Sequence, residues 1–420
     1  MFLKYAHYHT IAVFCLIACI IAGIGIAGFI KLKYGFWALQ PVFHVYDIRY
    51  LIGLSPMGVI RPERPAHNKY TNFANITTTP YTALSSAVVC DVVEFIRANY
   101  LQNGSNRYVP KAKNIIPYLA DTSSPSIVSV YYASSKIKKH DGRVDSVPKI
   151  VGVITSRPVS VVMFDRGNSK KEPTTLGVQY VDYLCVDKSR RKTGIAPQLI
   201  QTHYYNQRHG VEFSNDASTT VCLFKREGEL TGIVPLCVYS SYGFLASKWG
   251  IPSKTLLPGT HSVVEVTSQN FYVTYDFIVS QKSTFLVAAF TDASNLLGLI
   301  KTGNIFIRTI VSGGTVLGVV VFKKSCTFMA DGVESLSCVA SIRSPDLSES
   351  MFVGGFKLAF WQVAKQHRFE FLDIEDISHN KCILLELLKK NKPVVVSPTA
   401  YFFYNYAAAT VPSSSVCVMF

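Results

Sequence analysis

Tyr180-Val181-Asp182-Tyr183-Leu184-Cys185-Val186-Asp187-Lys188-Ser189-Arg190-Arg191-Lys192-Thr193-Gly194-Ile195-Ala196-Pro197-Gln198-Leu199-Ile200 holds three local signals in a row. Residues 178–186 read as a strand of apolar and β-branched residues. Four cations, Lys188, Arg190, Arg191 and Lys192, fill the turn after it. A helix then starts at about Gly194, with Pro197 in its first turn, and runs to about Arg208, where Gly210 can end it. Arg191, Gly194 and Ala196 are spaced as R-x-x-G-x-A. Small residues there let backbone N–H groups approach an anion, and a helix N-terminus favours negative charge. The four cations add a field suited to a pyrophosphate. The charges alone fit a solvated basic turn equally well; their place directly after a strand favours the anion site.

On the N-terminal side, residues 127–132, 150–154 and 159–164 read as strands, split by basic hairpin tips at 136–139 and 170–171. Residues 91–101 alternate at helical spacing, with Val92, Val93, Ile96 and Tyr100 on one face. On the C-terminal side, 271–278, 284–290, 304–310 and 316–322 read as strands. A helix over 356–367, a strand over 369–374 and a short helix over 381–392, closed by basic residues and Pro393, follow. The expected class is α/β, or α+β with mixed sheets, in halves 84–255 and 256–420 that meet near 245–265. Residues 31–83, punctuated by five prolines, read as an extended arm.

Residues 11–30 carry no charge over the length a transmembrane helix needs. A cleaved signal peptide is the competing reading, but its apolar region usually spans only ~7–15 residues. Lys31, Lys33 and Arg49 follow the segment and Lys4 alone precedes it, which favours a single-pass membrane protein with a cytosolic body. The sequons at Asn75 and Asn103 would allow the opposite topology, but such triplets arise often by chance.

The chain has 420 residues, enough for two to three domains. With 49% hydrophobic and 16% charged residues, wholesale disorder is excluded. A net charge of +15 suits anionic partners, whether a phosphorylated ligand, an acidic membrane or nucleic acid. Nucleic acid is disfavoured because the basic runs lack interleaved aromatics. The ten cysteines form no C-x-x-C pair and the ten histidines no H-x-x-H or H-E-x-x-H pair, so neither a disulfide scaffold nor a metal site is expected.

The R-x-x-G-x-A turn between strand and helix resembles the coenzyme A pyrophosphate loop of the GCN5-related N-acetyltransferase superfamily. The longer run from Tyr183 to Ile200 resembles, more narrowly, the glycylpeptide N-tetradecanoyltransferase (N-myristoyltransferase) family. Colinear islands agree. Tyr34-Gly35-Phe36-Trp37-Ala38-Leu39-Gln40-Pro41-Val42 is similar to that family's F-W-x-x-Q-P-V arm, and Ala98-Asn99-Tyr100-Leu101 to its E-N-Y-V. Phe371-Leu372-Asp373 is similar to its A-L-D, and Tyr401-Phe402-Phe403-Tyr404-Asn405-Tyr406 to its Y-Y-L-Y-N-W.

This resemblance implies two acetyltransferase-like halves related by a pseudo-twofold. It implies myristoyl-CoA, or another acyl-CoA, as co-substrate with no tightly bound cofactor, and N-terminal glycine peptides as acceptors. Backbone N–H groups at Tyr183 and Leu184 would polarise the thioester carbonyl. Gly35, Phe36 and Trp37 would touch coenzyme A, with Cys185, Val186, Lys188, Arg191, Lys192, Gly194, Ile195 and Ala196 forming its binding loop. The carboxylate at Phe420 would take the proton of the glycine ammonium, consistent with an alternating, charge-free tail that reads as threaded inward. Tyr100, Tyr239, Ser241 and Asp373 would line the peptide site.

Three departures fall on the peptide side. The acidic loop after E-N-Y-V becomes Gln102-Asn103-Gly104-Ser105, which removes carboxylates that would prefer basic peptides. Asp182 stands where the family has Asn, as a second base or a structural acid, and Ser241 stands where it has His. A related acyltransferase with another chain or acceptor, and a silent acyl-CoA-binding descendant, therefore stay open.

Overall fold

The structure is a computed structural model, and it describes residues 2–54, 57–101, 107–138, 144–165, 172–210, 221–228, 232–246, 249, 256–329 and 332–420. The sequence-read loop at 102–105, the far side of the 136–139 tip and the 170–171 tip lie outside them. The helices are α1 (Phe2–Tyr34), α2 (Ile48–Leu51), α3 (Ser86–Asn99), α4 (Ala112–Leu119), α5 (Ile195–His209), α6 (Phe271–Ser280), α7 (Ala293–Lys301), α8 (Glu349–His367) and α9 (Asn380–Leu388). The strands of the first part are β1 (Gly58–Val59), β2 (Ile76–Pro80), β3 (Arg107–Tyr108), β4 (Ile127–Lys138), β5 (Val144–Met163), β6 (Thr174–Val186), β7 (Val221–Glu227) and β8 (Cys237–Leu245). Those of the second are β9 (His261–Glu265), β10 (Val287–Phe290), β11 (Ile305–Ser312), β12 (Thr315–Phe328), β13 (Glu334–Arg343), β14 (Phe371–Glu375), β15 (Val395–Tyr404), β16 (Tyr406–Ala407) and β17 (Val416–Met419).

One continuous mixed sheet runs β17-β10-β5-β6-β7-β15-β8-β14-β13-β12-β11-β9, as the mixed class expected from sequence requires. Two parallel pairs in it, β6/β7 and β13/β14, are each joined by a helix, α5 and α8, so the same strand–helix–strand unit occurs twice. The parts also exchange strands: β15 pairs with β7, and β8 with β14. Helices α8 and α9 cover one core with Phe352, Phe356, Val363, Ile383 and Leu384, while α3 buries Val92, Val93, Phe95 and Ile96 against β4 and β5.

Two local expectations are corrected. Residues 271–278, read as a strand, form α6. Phe271, Thr274 and Ile278 are buried at helical spacing while Tyr272 and Val273 face out, so packing on a helix period overrides the β-branched and aromatic composition. Residues 150–154 and 159–164, read as two strands, are one. Ser156, Arg157 and Pro158 pair with Val181, Tyr180 and Gln179, and the register shifts between Thr155 and Ser156. That bulge absorbs what the composition suggested was a break. The other expected elements are present, several of them longer than read: α3 and α8 start five and seven residues earlier, and β4 and β12 each end six residues later, while α5 lies at Ile195–His209 between Gly194 and Gly210.

The last residues form β17, parallel to β10. Val416, Val418 and Phe420 pack into one cluster, and Cys417 and Met419 into the opposite one, so the alternating tail is a buried strand. Helix α1 is exposed from Val13 onward, and Val13–Tyr34 is long and apolar enough to cross a membrane.

Candidate functional site

The parallel pair β6/β7 opens where the sequence signals converge. Its register runs from Val178↔Val221 to Val181↔Phe224 and stops, although β6 continues to Val186 and β7 to Glu227. The cause lies on the other edge of β6. Opposite the register shift in β5, Thr155 pairs with Tyr183 and Ser156 with Val181, leaving Asp182 as the extra, bulged residue. A bulge kinks and twists its strand, so β6 turns away from β7 after Val181.

The gap is a cavity of about 240 Å³. Val181, Asp182 and Leu184 of β6 line it with Phe224 and Lys225 of β7, and α5 contributes Ile200, His203 and Gln207. Trp37 from the arm, Tyr100 after α3 and Tyr404 of β15 close it. Trp37 stacks on Phe224 at 6.0 Å, and the Tyr404 hydroxyl donates to Gln40 Oε1 at 2.6 Å. The N–H of Asn405 donates to the carbonyl of Pro41 at 2.6 Å. The F-W-x-x-Q-P-V island and the island at 401–406 thus meet on one wall of the cavity. Leu184 is 36% exposed between buried Tyr183 and Cys185, so its flank of β6 is open. Tyr183 is buried and shares a 3.0 Å hydroxyl–hydroxyl bond with Tyr108.

The basic turn is tied to the same wall. Arg191 Nη2 donates to the Asn99 carbonyl at 2.9 Å, and the Lys188 N–H to Asn99 Oδ1 at 3.2 Å, one residue before Tyr100. Asp187 caps the turn through Ser189, which holds its carboxyl below the usual range. Lys192 (φ +65°) and Gly194 (φ +87°) are both left-handed. Gly194 caps α5 with no side chain, and a Cβ built on it meets no heavy atom within 4 Å. The first N–H groups of α5, at Ile195 and Ala196, follow this turn and its cations Lys188, Arg191 and Lys192, and a helix start without a side-chain cap suits an anion. Gly35 is left-handed as well (φ +48°), and Phe36 packs edge-on against Trp37 and Tyr70. Burial lifts the Cys185 thiol to about 12, so Cys185 and its neighbour Val186 shape the strand and offer no thiolate at neutral pH.

Around the bulge lies a buried network of polar and aromatic side chains. Asp182 pairs with Arg157, whose guanidinium also packs over the rings of Tyr118, Tyr180 and Phe420 at 5.0–5.5 Å. Phe420 is buried, with its ring 4.4 Å from Tyr180. Tyr239 and Lys225 both donate to Glu375, the latter at 2.9 Å, and Ser241 Oγ donates to Asp373 at 2.6 and 2.7 Å. Burial raises the Asp373 carboxyl to about 6 against the pull of that hydroxyl. Burial likewise lowers Lys323, which sits over the Tyr118 ring at 4.8 Å, to about 8. Tyr100, read as a peptide contact, reaches the Asp182 carbonyl at 3.5 Å. The sequence reading missed Arg157, Lys225, Glu375 and Lys323. Glu375 was within reach, since Phe371-Leu372-Asp373-Ile374-Glu375 alternates and puts both acids on one face of β14.

A twice-repeated strand–helix–strand unit, with its first parallel pair splayed beside an R-x-x-G-x-A turn, is the acetyltransferase-like fold that the sequence resemblance led us to expect. Within that class the fold is that of N-myristoyltransferases. A Saccharomyces cerevisiae N-myristoyltransferase with bound myristoyl-CoA superposes with a TM-score of 0.65 at 13% identity, over 90% of this chain and 89% of that one. A second such complex gives 0.65 at 14% identity over 90% and 94%. A third, with myristoyl-CoA and inhibitors, gives 0.64 at 13% over 92% and 94%. At these identities the likeness is one of fold. No protein-family model and no curated protein sequence matches the chain.

Proposed function

We propose that this chain is an acyl-CoA-dependent acyltransferase that moves a long acyl chain, myristoyl by analogy of fold, onto the N-terminal glycine amine of a peptide or protein. The observation that carries the reading is the opening of β6 from β7 at Val181↔Phe224, beside the uncapped start of α5. Opened strands expose backbone donors to a thioester, and the helix start with its three flanking cations meets a pyrophosphate. In this reading 84–255 is the acyl-CoA half and 256–420 the peptide half, and the arm brings Gly35, Phe36 and Trp37 onto coenzyme A.

The reaction needs no protein nucleophile. The glycine ammonium loses a proton to a carboxylate at Phe420, and the amine lone pair attacks the thioester carbonyl carbon. Negative charge collects on the carbonyl oxygen, where the Tyr183 and Leu184 N–H groups stabilise it. The C–S bond then breaks, the nitrogen gives up its second proton as the amide forms, and coenzyme A leaves as a thiolate that takes that proton up. Asp373, with Ser241, Tyr239 and Tyr100, receives the peptide's start. Helix α1 would hold the enzyme in a membrane with the body in the cytosol, since Lys31 and Lys33 close the helix.

The test is mass spectrometry of full-length protein incubated with mixed acyl-CoAs and Gly-starting peptides. One acyl group added to the glycine amine, and none to an acetylated control, is the expected result. Acyl-CoA bound without transfer to any acceptor would refute the activity.

A further inference from the structure

The arm carries an apolar cluster that the site does not use. In and after α2, Ile48 is 72% exposed, Leu51 68%, Ile52 63%, Leu54 59% and Met57 49%. Two observations say what covers it. The segment is tied to the body at both ends: the Val45 N–H donates to the Gly232 carbonyl at 3.1 Å, and Gly58 pairs with Ala407. Between these points Ile48, Leu51, Ile52, Leu54 and Met57 stay exposed. It is also fixed beside the end of α1. Tyr34, the last residue of that helix, packs its ring 5.2 Å from Tyr46, one residue before the Asp47 cap of α2. The same ring fills the space above Gly232, where even a Cβ would collide with it, so helix end, loop start and body form one joint.

We infer that residues 48–54 and Met57 are a second membrane contact, lying in the lipid interface at the cytosolic end of α1. The inference rests on Val13–Tyr34 crossing the bilayer. If it does, Tyr34 and Lys33 mark the headgroup level, and Ile48, Leu51, Ile52, Leu54 and Met57 meet the same layer. Arg49, the cluster's cation, is held by Asp47 through two bonds of 3.0 and 2.7 Å, which limits the charge carried into the interface. Tyr50, 37% exposed, supplies an amphipathic ring of the kind that sits at headgroup depth, and it also meets buried Phe43 edge-on at 5.8 Å. A bilayer already attached to the helix end covers these side chains without any further partner. With the helix and the loop both seated, the body cannot swivel about α1, and Trp37, which lines the cavity, is held close to the membrane surface.

The test uses full-length protein in phosphatidylcholine–phosphatidylserine vesicles, with the exposed thiols removed (C15A, C19A, C90S). An environment-sensitive fluorophore is placed in turn at Leu51→Cys, at Ile20→Cys within α1 and at Tyr272→Cys on α6. Lipids carrying a quencher in the acyl chain should quench the dye at 51 and at 20 by about twofold or more and leave 272 unchanged. Adding Ile48→Glu and Ile52→Glu should abolish quenching at 51 but not at 20. Quenching at 20 with none at 51 overturns the inference while leaving the anchor. No quenching at either overturns both. Shielding at 51 that appears in detergent only as protein concentration rises would make a second copy the occupant, and overturns it too.

Discussion

Asp182 is the bulged residue of β6, and its carboxylate accepts from Arg157 Nε at 2.9 Å, with Arg157 on the strand it bulges away from. The pair spans the distortion that opens the cavity. Arg157 is fully buried and Asp182 nearly so, and the remaining Arg157 Nη2 has no partner among the described residues. This pairing turns the Asp182 carboxylate toward Arg157 of the neighbouring strand. We therefore expect the ion pair to fix the bulge, and through it the donors at Tyr183 and Leu184.

Arg157→Met should leave a buried carboxylate without its cation and cost about 3–5 kcal/mol, the usual penalty for breaking a buried pair. Asp182→Asn keeps an acceptor for Arg157 Nε and should cost less. Urea unfolding of both variants checks the order. Asp182→Asn should also keep turnover within about tenfold; a loss as large as general-base removal, ~10²-fold or more, would make Asp182 the base.

Burial raises Asp373 from 3.8 to about 6. Between those values the folded chain holds a proton that the unfolded chain has released. That contribution to stability is present at low pH and fades as pH rises through about 6. Melting temperatures of the wild type should thus fall more than those of Asp373→Asn between about pH 5 and pH 7. Turnover should move the other way, rising through about 6 as the carboxylate becomes available to an ammonium. Asp373→Asn should flatten that rise and lower kcat/KM by about tenfold.

Much of this site could be read from the chain, for physical reasons that differ by residue. The strand–turn–helix at 180–200 was legible because Gly194, Pro197 and Gly210 punctuate it and the periods on either side are strong. The tail was legible because an alternating, uncharged ending has little to gain in water. Arg157 was not, because a charge followed by Pro158 in a run of β-branched residues looks like a loop until β6 is seen to pair across it. Helix α6 was not, because Phe271-Tyr272-Val273-Thr274-Tyr275 has strand composition, and only its burial pattern reveals the helical period. The splay of β6 from β7 follows from a register shift, which no local sequence pattern specifies.

Phe420 packs against Tyr180, and if its carboxylate is the base, as proposed, a Gly-Ser extension should reduce acyl transfer by ~10²-fold or more, the low end of general-base loss. Acyl-CoA affinity should hold within about threefold, since 34–42 and 183–197 are untouched. Single-turnover kinetics with preloaded acyl-CoA separates the two. Full activity of the extended chain would remove Phe420 from the mechanism.

Gly194 makes the sharpest test of the coenzyme A assignment. Its φ of +87° is one that side-chain-bearing residues rarely adopt, and the space before it is open. Gly194→Asp would put a carboxylate where a pyrophosphate must come close, and would strain the turn by roughly 1–2 kcal/mol. Gly194→Ala imposes a similar backbone strain without the charge, so comparing the two isolates electrostatics from conformation. Calorimetry should find acyl-CoA binding weakened at least tenfold by Ala and lost with Asp, while circular dichroism shows both variants folded. The Asp effect should shrink at high salt, because an exposed like-charge repulsion is screened. Equal affinity in all three proteins would mean that Lys188, Arg191 and Lys192 are a solvated face and that the anion binds elsewhere.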